Sequence, residues 1–479
     1  MQNNSALKEF QGKRVHILGV AGTLMGSFAA LLKRSGVFVT GSDQNIYPPM
    51  SDVLKNAGIE VYTPYSPENL EKVKPDLVIV GNVVKKINPE MSAVLEKKIA
   101  FESLPSALEK MVLPQKHPIV VSGTHGKTTA SSMMAWLLEY LNEKPSFFVG
   151  GVLQNFPESF RITDSKYMVL EGDEYDTAYF DKVPKFTHYR PKDIILTSVE
   201  YDHADIYPDM TAVLSAFEKL AKLAPEDGFF VACSETETPL RIAHKCNAHV
   251  ISYGLSKLAD SRASGIELSP KGAKFKWHFE GHLTKVELQM SGIHNVLNAL
   301  GVLTLAAARQ FDPEKCAAAL AQYKGVKRRQ EVYGVAKGVT IIDDFAHHPT
   351  AVRETINAIR GRYPESRLIA CFEPRSATSR RKVFQAAYAE SFDSADYVYL
   401  AKPFEPQGAS APEFEVFSTE EALNDLKARG KRAKILLTSP EGIKDFSQDL
   451  KSGDVVLVMS NGGFDGFLPK LMTLLTGSK

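Results

Sequence analysis

Gly123-Thr-His-Gly-Lys-Thr-Thr129 is the segment of this sequence best suited to chemistry. It stands between an apolar run, Ile119 to Val121, and a helix-forming stretch, Thr128 to Leu141. Backbone N–H groups of a glycine-rich turn and of a helix N-terminus form a nest for anions, and lysine adds a mobile positive charge for outer phosphates. Gly123, Thr124, His125, Gly126, Lys127, Thr128 and Thr129 therefore read as a nucleoside triphosphate site, although Val121 stands where the general phosphate-loop spacing asks for glycine. The Thr128 hydroxyl suits Mg²⁺, but one hydroxyl does not hold a metal, so carboxylates or imidazoles must come from neighbouring strand ends. Leu170-Glu-Gly-Asp-Glu-Tyr-Asp176 and Val199-Glu-Tyr-Asp-His-Ala-Asp205 each follow an apolar strand. In an open α/β sheet both emerge at the carboxyl edge, where the phosphate loop also lies. Two acidic clusters so placed point to a metal site, where one alone would read as a solvated loop.

A second glycine turn, Gly19-Val-Ala-Gly-Thr-Leu-Met-Gly26, is followed by Asp43 after the next strand. Its spacing, GxxGxxxG, departs from the GxGxxG of dinucleotide sites and is weak support for NAD. Close strand–helix packing is the competing reading for these glycines. His347-His348 precede Pro349, but adjacent side chains diverge, so no metal is assigned to the pair. Glu373-Pro-Arg-Ser376 ends another strand, and the planar guanidinium of Arg375 suits bidentate pairing with a carboxylate of a substrate, with a surface salt bridge as the alternative. Lys327-Arg328-Arg329 is too short a basic run to indicate nucleic acid.

The elements that must position these residues follow an α/β beat. Val15 to Leu18, Val37 to Thr40, Ile59 to Tyr62 and Leu77 to Val80 read as strands, alternating with helices over Phe28 to Arg34 and Met50 to Ala57. This implies βαβ units and a parallel sheet. Ile17 to Leu32, apolar and near the N-terminus, is too short to span a membrane and lacks the flanks of a signal peptide, so it reads as strand, turn and helix. The polar Leu113-Pro-Gln-Lys-His-Pro118 marks one boundary and the basic stretch Lys324 to Arg329 another. Between them, strands Ile119 to Val121, Met168 to Leu170 and Ile194 to Val199 precede an alternating stretch, Lys274 to Met290, that reads as an antiparallel pair, and a helix from His294 to Arg309. Beyond 325, strands Thr340 to Ile342, Leu368 to Phe372, Tyr397 to Leu400 and Val455 to Met459 alternate with helices.

Composition agrees with several such domains. A chain of 479 residues suggests about three domains. A hydrophobic fraction of 44% with 24% charged residues excludes wholesale disorder. A formal net charge of +1 removes the footprint of a dedicated nucleic-acid or acidic-membrane binder and favours small-molecule chemistry. The four cysteines, Cys233, Cys246, Cys316 and Cys371, stand singly, which suggests neither zinc nor disulfides and fits a cytoplasmic protein.

Taken in order, Gly123 to Thr129, Glu171 in Leu-Glu-Gly-Asp-Glu, His203 in Glu-Tyr-Asp-His-Ala-Asp, Ile293-His-Asn-Val-Leu-Asn298, Arg328-Arg329 and Asp343-Asp-Phe-Ala-His-His-Pro349 resemble the Mur ligases. These ATP-dependent enzymes join an amino acid or peptide to a UDP-sugar carboxylate in building bacterial cell wall, and the resemblance spans essentially the whole chain. It implies three domains: a Rossmann-like UDP-sugar domain over 1–115, a P-loop ATPase-like central domain with additional antiparallel strands over 116–325, and a Rossmann-like acceptor domain over 326–479. Within the family, Asn45-Ile-Tyr-Pro-Pro-Met50, Phe180-Asp-Lys182, His203-Ala-Asp-Ile206, Glu373-Pro-Arg-Ser376 and Ser460-Asn-Gly-Gly-Phe464 resemble the member that recycles wall fragments. That member attaches L-alanyl-γ-D-glutamyl-meso-diaminopimelate to UDP-N-acetylmuramate.

By this resemblance Lys127 contacts the β- and γ-phosphates of ATP, Thr128 and Glu171 hold one Mg²⁺, and His203 holds a second. Asn295 faces adenine with Asn298 beside it, Arg329 approaches the γ-phosphate, and Asp344 meets the ribose. His348 lies near the reacting carboxylate. The N-terminal nest, Gly19, Gly22, Thr23, Gly26 and Asp43, takes the UDP-sugar pyrophosphate. Arg375 takes a carboxylate of the peptide acceptor. Some relatives carry a carbamylated lysine; Lys219 and Lys222 lie in the right region without a recognisable motif. The implied partners are UDP-N-acetylmuramate and a murein tripeptide, with no nucleic acid or membrane, on a monomer or weak homodimer whose domains close around ATP on hinges near 115 and 325. The rivals are a ligase adding free L-alanine to the same sugar, an NAD-dependent dehydrogenase, which leaves the Gly123 to Thr129 loop unexplained, and a nucleotide-switched binding module without ligation.

Overall fold

The structure, a computed structural model, describes residues 5–44, 46, 50–405 and 414–477. Asn45 and Tyr47 to Pro49 of the Asn45 to Met50 motif lie outside the described residues. The chain divides into two compact units, one of Met1–Val199, Thr211–Asp260 and Gly301–Ala319, the other of Glu200–Met210, Ser261–Leu300 and Leu320–Lys479.

The first unit opens with a five-stranded, all-parallel sheet in the order Glu60–Tyr62, Phe38–Ser42, Arg14–Leu18, Leu77–Val80, Phe101–Ser103. Its central strands carry near-continuous apolar runs because helices cover both faces of a parallel sheet. Val15, Ile17, Leu18, Val78, Ile79 and Val80 are accordingly buried. The strand order reverses between Arg14–Leu18 and Leu77–Val80, which opens a crevice at their carboxyl ends. Helix Thr23–Arg34 begins there, so Ile17 to Leu32 is strand, turn and helix as the glycines imply.

A second sheet of this unit runs His249–Gly254, Phe229–Cys233, Asp193–Leu196, His117–Ser122, Tyr167–Gly172, Ser146–Phe148, Phe160–Arg161. Every neighbouring pair is parallel except the last, which is antiparallel. The strand expected over Ile194 to Val199 stops at Leu196, because the following residues turn aside to support the phosphate loop. At the opposite edge, buried Asp193 accepts bonds from His117 Nε2 (2.7 Å), Arg309 Nε (2.9 Å) and Phe229 N (3.0 Å). Burial pushes its carboxyl up, and these partners more than reverse the push, leaving it below the ordinary range.

The second unit contains an antiparallel meander, Ser261–Ser269, Gly272–Phe279 and His282–Leu288. The sequence pattern reveals the last two strands; the first is serine-rich and bulged between Ser264 and Glu267, which breaks its alternation. A six-stranded sheet follows in the order Glu331–Ala336, Val339–Asp344, Val455–Met459, Leu368–Phe372, Tyr397–Leu400, Arg432–Ile435, parallel except for the first hairpin. Alternate residues enter opposite cores, as a period of two requires. Ile342, Ala370, Phe372 and Leu457 pack towards helices Pro349–Arg362 and Thr419–Ala428, and Ile341, Ile369, Cys371 and Val456 towards Phe467–Thr476. All four cysteines are free thiols.

Candidate active site

In the first unit, strand His117–Ser122 ends in the loop Gly123 to Gly126, and helix Lys127–Tyr140 begins at once. Gly123 (φ +133°) and Gly126 (φ +81°) occupy backbone conformations that favour glycine. At Gly123 space forbids anything else: a Cβ would lie 2.2 Å from Thr197 Oγ1 and 2.8 Å from Ser198 N and O. That close approach fastens the loop, since Thr124 N donates to Ser198 O (2.9 Å) and His125 N to Ser198 Oγ (2.9 Å).

Lys127 Nζ donates to Gly123 O (2.7 Å) and to both carboxylate oxygens of buried Glu174 (3.0 and 2.8 Å). Burial alone would lower the Lys127 pKa; Glu174, Asp173 and Glu171 reverse this and raise it. The ammonium is thus a fixed positive charge. The Thr128 hydroxyl donates to Glu171 Oε1 (2.6 Å), and Gly150 N to Oε2 (2.6 Å). Burial pushes the Glu171 carboxyl up, against the bonds from Thr128 and Gly150 and the charge of Lys127. A hydroxyl and a carboxylate brought together at a loop built for anions form an oxygen donor set that fits a hard divalent cation. The sequence marks Glu171 and Thr128 as this pair; it does not show that Glu174, three residues on, is the partner of Lys127.

At the N-terminal nest, Gly19 (φ +80°) requires glycine, whereas at Gly26 a Cβ would strike Val20 O at 2.9 Å, so this glycine serves packing. Thr23 opens the helix. At Gly22 a Cβ would meet nothing nearer than 3.4 Å, so the turn there is open. Asp43 is engaged by backbone, accepting from Ala21 N (2.9 Å) and Gln44 N (2.7 Å). It shapes the turn. The sequence misses the polar core beneath it: His16 Nε2 meets Glu90 Oε1 at 2.7 Å, and Ser42 and Asn69 also bond Glu90, all of them buried. Tyr65, whose hydroxyl reaches Asp43 and the Gly19 backbone, is raised in pKa by burial and by Asp43 and Glu90.

The second unit carries the other expected residues. His203 is buried with φ +54°, a conformation costing a non-glycine residue about 1–2 kcal/mol. Asp202 beside it accepts from His203 N (2.7 Å). Burial would push the Asp202 carboxyl up, but the imidazoles of His203, His347 and His348 and the Thr378 hydroxyl hold it well below the carboxylate range. His348 is committed within the fold: Nδ1 accepts from Thr350 N (3.3 Å), capping helix Pro349–Arg362, and Nε2 donates to Tyr201 O (3.1 Å). These bonds fix the orientation of its ring at the start of that helix. His347 bonds Phe345 O through Nδ1 (3.0 Å) and makes no hydrogen bond through Nε2 among the described residues, and burial lowers its pKa. Of the two histidines it is the one with an uncommitted nitrogen.

Asp344 is also a brace, accepting from Gln330 N (2.7 Å) and Ala346 N (2.7 Å). Its neighbour Asp343 pairs with Arg328 Nε (3.1 Å) yet keeps a buried Oδ1 without a partner among the described residues, as do Gln330 Oε1 and Asn461 Oδ1. Burial pushes the Asp343 carboxyl up to about 6 against the pull of Arg328. Arg328 also donates to Ser460 O and Gly462 O (both 2.7 Å), so it is structural, while Arg329 lies over the Phe345 ring at 4.9 Å. Asn295 and Asn298 are buried at the start of helix Ile293–Ala308, Asn295 donating to Ser291 O (2.8 Å). Arg375 is clamped: its guanidinium stacks on Phe404 at 3.6 Å, donates to Glu373 Oε1 (3.2 Å), and lies where a Cβ at Gly462 would be 2.0 Å from Nε. Buried Glu373 is held in turn by the Ser460 hydroxyl (2.5 Å). The Arg375–Glu373 pair is therefore an organised, half-buried element.

A glycine-rich anion loop with a fixed lysine and a hydroxyl–carboxylate pair marks a protein that uses a nucleoside triphosphate. The sequence matches three family models in succession: Mur ligase family, catalytic domain, over residues 14–116; Mur ligase middle domain over 121–306; and Mur ligase, glutamate ligase domain, over 328–462. The chain belongs to the Mur ligase family, ATP-dependent enzymes of three domains that form carbon–nitrogen bonds and as a class use Mg²⁺. It is 39% identical, over 96% of its length and 97% of the relative's, to the UDP-N-acetylmuramate–L-alanyl-γ-D-glutamyl-meso-2,6-diaminoheptandioate ligase of Escherichia coli K12. It is 34% identical, over 94% of its length and 96% of the relative's, to a UDP-N-acetylmuramate–L-alanine ligase of Clostridium tetani. Among solved structures, a murein peptide ligase of Psychrobacter arcticus superimposes with TM-score 0.72 at 33% identity, covering 98% of this chain and 100% of that one.

Proposed function

We propose that this protein joins L-alanyl-γ-D-glutamyl-meso-diaminopimelate to UDP-N-acetylmuramate at the expense of ATP, returning wall fragments to peptidoglycan synthesis in the cytoplasm. The observation that carries this reading is the 39% identity, over nearly the full length of both chains, to a ligase of that acceptor. Arg375, clamped by Glu373 and Phe404, supports it, because a tripeptide brings carboxylates that free alanine lacks. The domains divide near 115 and 325, and no described helix is long and apolar enough to cross a membrane.

In the reaction a carboxylate oxygen of the sugar's lactyl group attacks the γ-phosphorus of ATP, and the bond to ADP breaks. The alanyl amine then attacks the acyl carbon, the C–N bond forms, phosphate leaves, and the amine gives up a proton. Two anions meet in the first step, so neutralising charge is the main task of the protein. Lys127 serves the β- and γ-phosphates and Arg329 the γ-phosphate. Mg²⁺, held by Thr128 and Glu171 with a second ion on His203, would supply further neutralisation. Asn295, Asn298 and the edge braced by Asp344 receive the nucleoside. The nest at Gly19 and Gly22 receives the UDP-sugar, and His348 stands near the reacting carboxylate. The protein works as a monomer or weak homodimer.

Phosphate release with UDP-N-acetylmuramate and either the tripeptide or L-alanine tests the reading. Turnover is expected with the tripeptide and not with alanine. Turnover with alanine alone would move the protein to the alanine-ligase class.

A further inference from the structure

His203 carries the one imidazole expected to serve the metal, and it does so from a left-handed backbone conformation (φ +54°) that non-glycine residues hold only when their surroundings fix it. Local bonds supply part of that fixing: Ile206 N and Tyr207 N donate to His203 O (2.8 and 2.9 Å). The rest comes from residues more than 170 positions away, in the loop that follows strand Leu368–Phe372. Thr378 Oγ1 donates to Asp202 Oδ1 (2.5 Å), the same oxygen that accepts from His203 N, and receives a long bond from Ala204 N (3.5 Å). Arg381 Nη2 donates to Ala204 O (2.6 Å). One hydroxyl and one guanidinium therefore grip the residues on both sides of His203. Thr378 is 1% exposed, so water does not replace its hydroxyl if it is lost.

The same loop begins at Arg375, and its path is stiff. Ser379 N donates to Ser376 Oγ (3.0 Å), Ser376 Oγ donates to Ser379 Oγ (2.9 Å), and Arg380 N reaches Ser376 O (3.2 Å). Arg381 is itself braced, stacked on Phe414 at 4.6 Å and bridged to Val416. We infer that Thr378 is a positioning residue of the ligation: acting through Asp202, it holds His203 in place, and its loop ties that placement to the arginine offered to the acceptor. This rests on the ligase reading but not on which acceptor is used.

Hydrogen exchange of the ligand-free protein, with kinetics on the same samples, decides it. Thr378→Val is expected to speed exchange across 200–207 by about tenfold or more, while helix 127–140 exchanges as before. It should lower kcat by about tenfold or more with the ATP KM within about threefold. Thr378→Ser, which keeps the hydroxyl, should stay within about threefold of wild type in both readouts. Arg381→Gln should reproduce the exchange pattern, and stands in if Thr378→Val does not fold. Unchanged exchange at 200–207, faster exchange throughout the protein, or an equal loss in Thr378→Ser would overturn the inference. The exchange arm uses no substrate, so failure of the tripeptide assignment would appear only as absent turnover in the wild type.

Discussion

The buried pair of Lys127 and Glu174 separates two properties that mutagenesis of phosphate loops usually confounds. Lys127→Met removes the ammonium and keeps most of the volume, leaving Glu174, which is 2% exposed, beside Asp173 and Glu171 without its counter-charge. Removing one partner of a buried pair costs about 3–5 kcal/mol, whereas replacing both with neutral groups is often close to neutral. At about 2–4 °C per kcal/mol for a domain of this size, the single variant should melt roughly 6–20 °C below wild type. Lys127→Met/Glu174→Gln should recover most of that loss. Turnover should follow a different pattern: the charge that meets the phosphates is missing in both, so each should lose about a hundredfold or more in kcat. Scanning calorimetry and phosphate release on the three proteins make the comparison. The reasoning fails if the single variant melts with wild type, or if the double variant regains more than about a tenth of the activity.

Other perturbations read other parts of the site. Gly123→Ala forces a Cβ to within 2.2 Å of Thr197 Oγ1 at a φ of +133°, so the loop must shift at a cost of about 1–3 kcal/mol; the ATP KM should rise tenfold or more, and a KM within about twofold of wild type would contradict the close approach. Arg375→Ala should raise the KM for the tripeptide by about 10–100-fold while that for ATP stays within about threefold, as loss of a charge-assisted bond implies; equal effects on both substrates would remove the acceptor role. Asp343, with its carboxyl pushed up to about 6 in the fold, binds a proton more tightly folded than unfolded. Its contribution is therefore fully present below about pH 4 and is lost as pH rises through 6, at most about 3 kcal/mol. Urea unfolding of Asp343→Asn should accordingly gain on wild type between pH 4.5 and pH 7.5, and an unchanged difference refutes the shift.

Legibility in the sequence tracked how local the chemistry is. The phosphate loop, Glu171 at its strand end and most of the parallel strands announce themselves because loop, strand and helix are contiguous and their periods unmixed. Glu174 was in plain view in Leu-Glu-Gly-Asp-Glu, yet its pairing with Lys127 depends on how the strand end Tyr167–Gly172 lies beside His117–Ser122. His16 and Glu90 are 74 residues apart, and neither residue type at its own position signals a buried bond. His348 and Asp344 are recognisable as motif residues, but a motif does not reveal that their polar atoms are already spent on a helix cap and on backbone amides. Strands Ser261–Ser269, Glu331–Ala336 and Arg432–Ile435 escaped because bulged and edge strands carry mixed, polar sequences.

The way the chain is shared between its compact units has a consequence for synthesis. The first unit takes its last piece from Gly301–Ala319, and the second takes its first from Glu200–Met210. A nascent chain that has released its first 199 residues therefore holds most of a unit it cannot complete until Ala319 has emerged, and a chain stopped between the two lacks that last piece. Ribosome pausing in that interval, or truncation anywhere within it, should expose the protein to chaperones far more than a cut near either terminus.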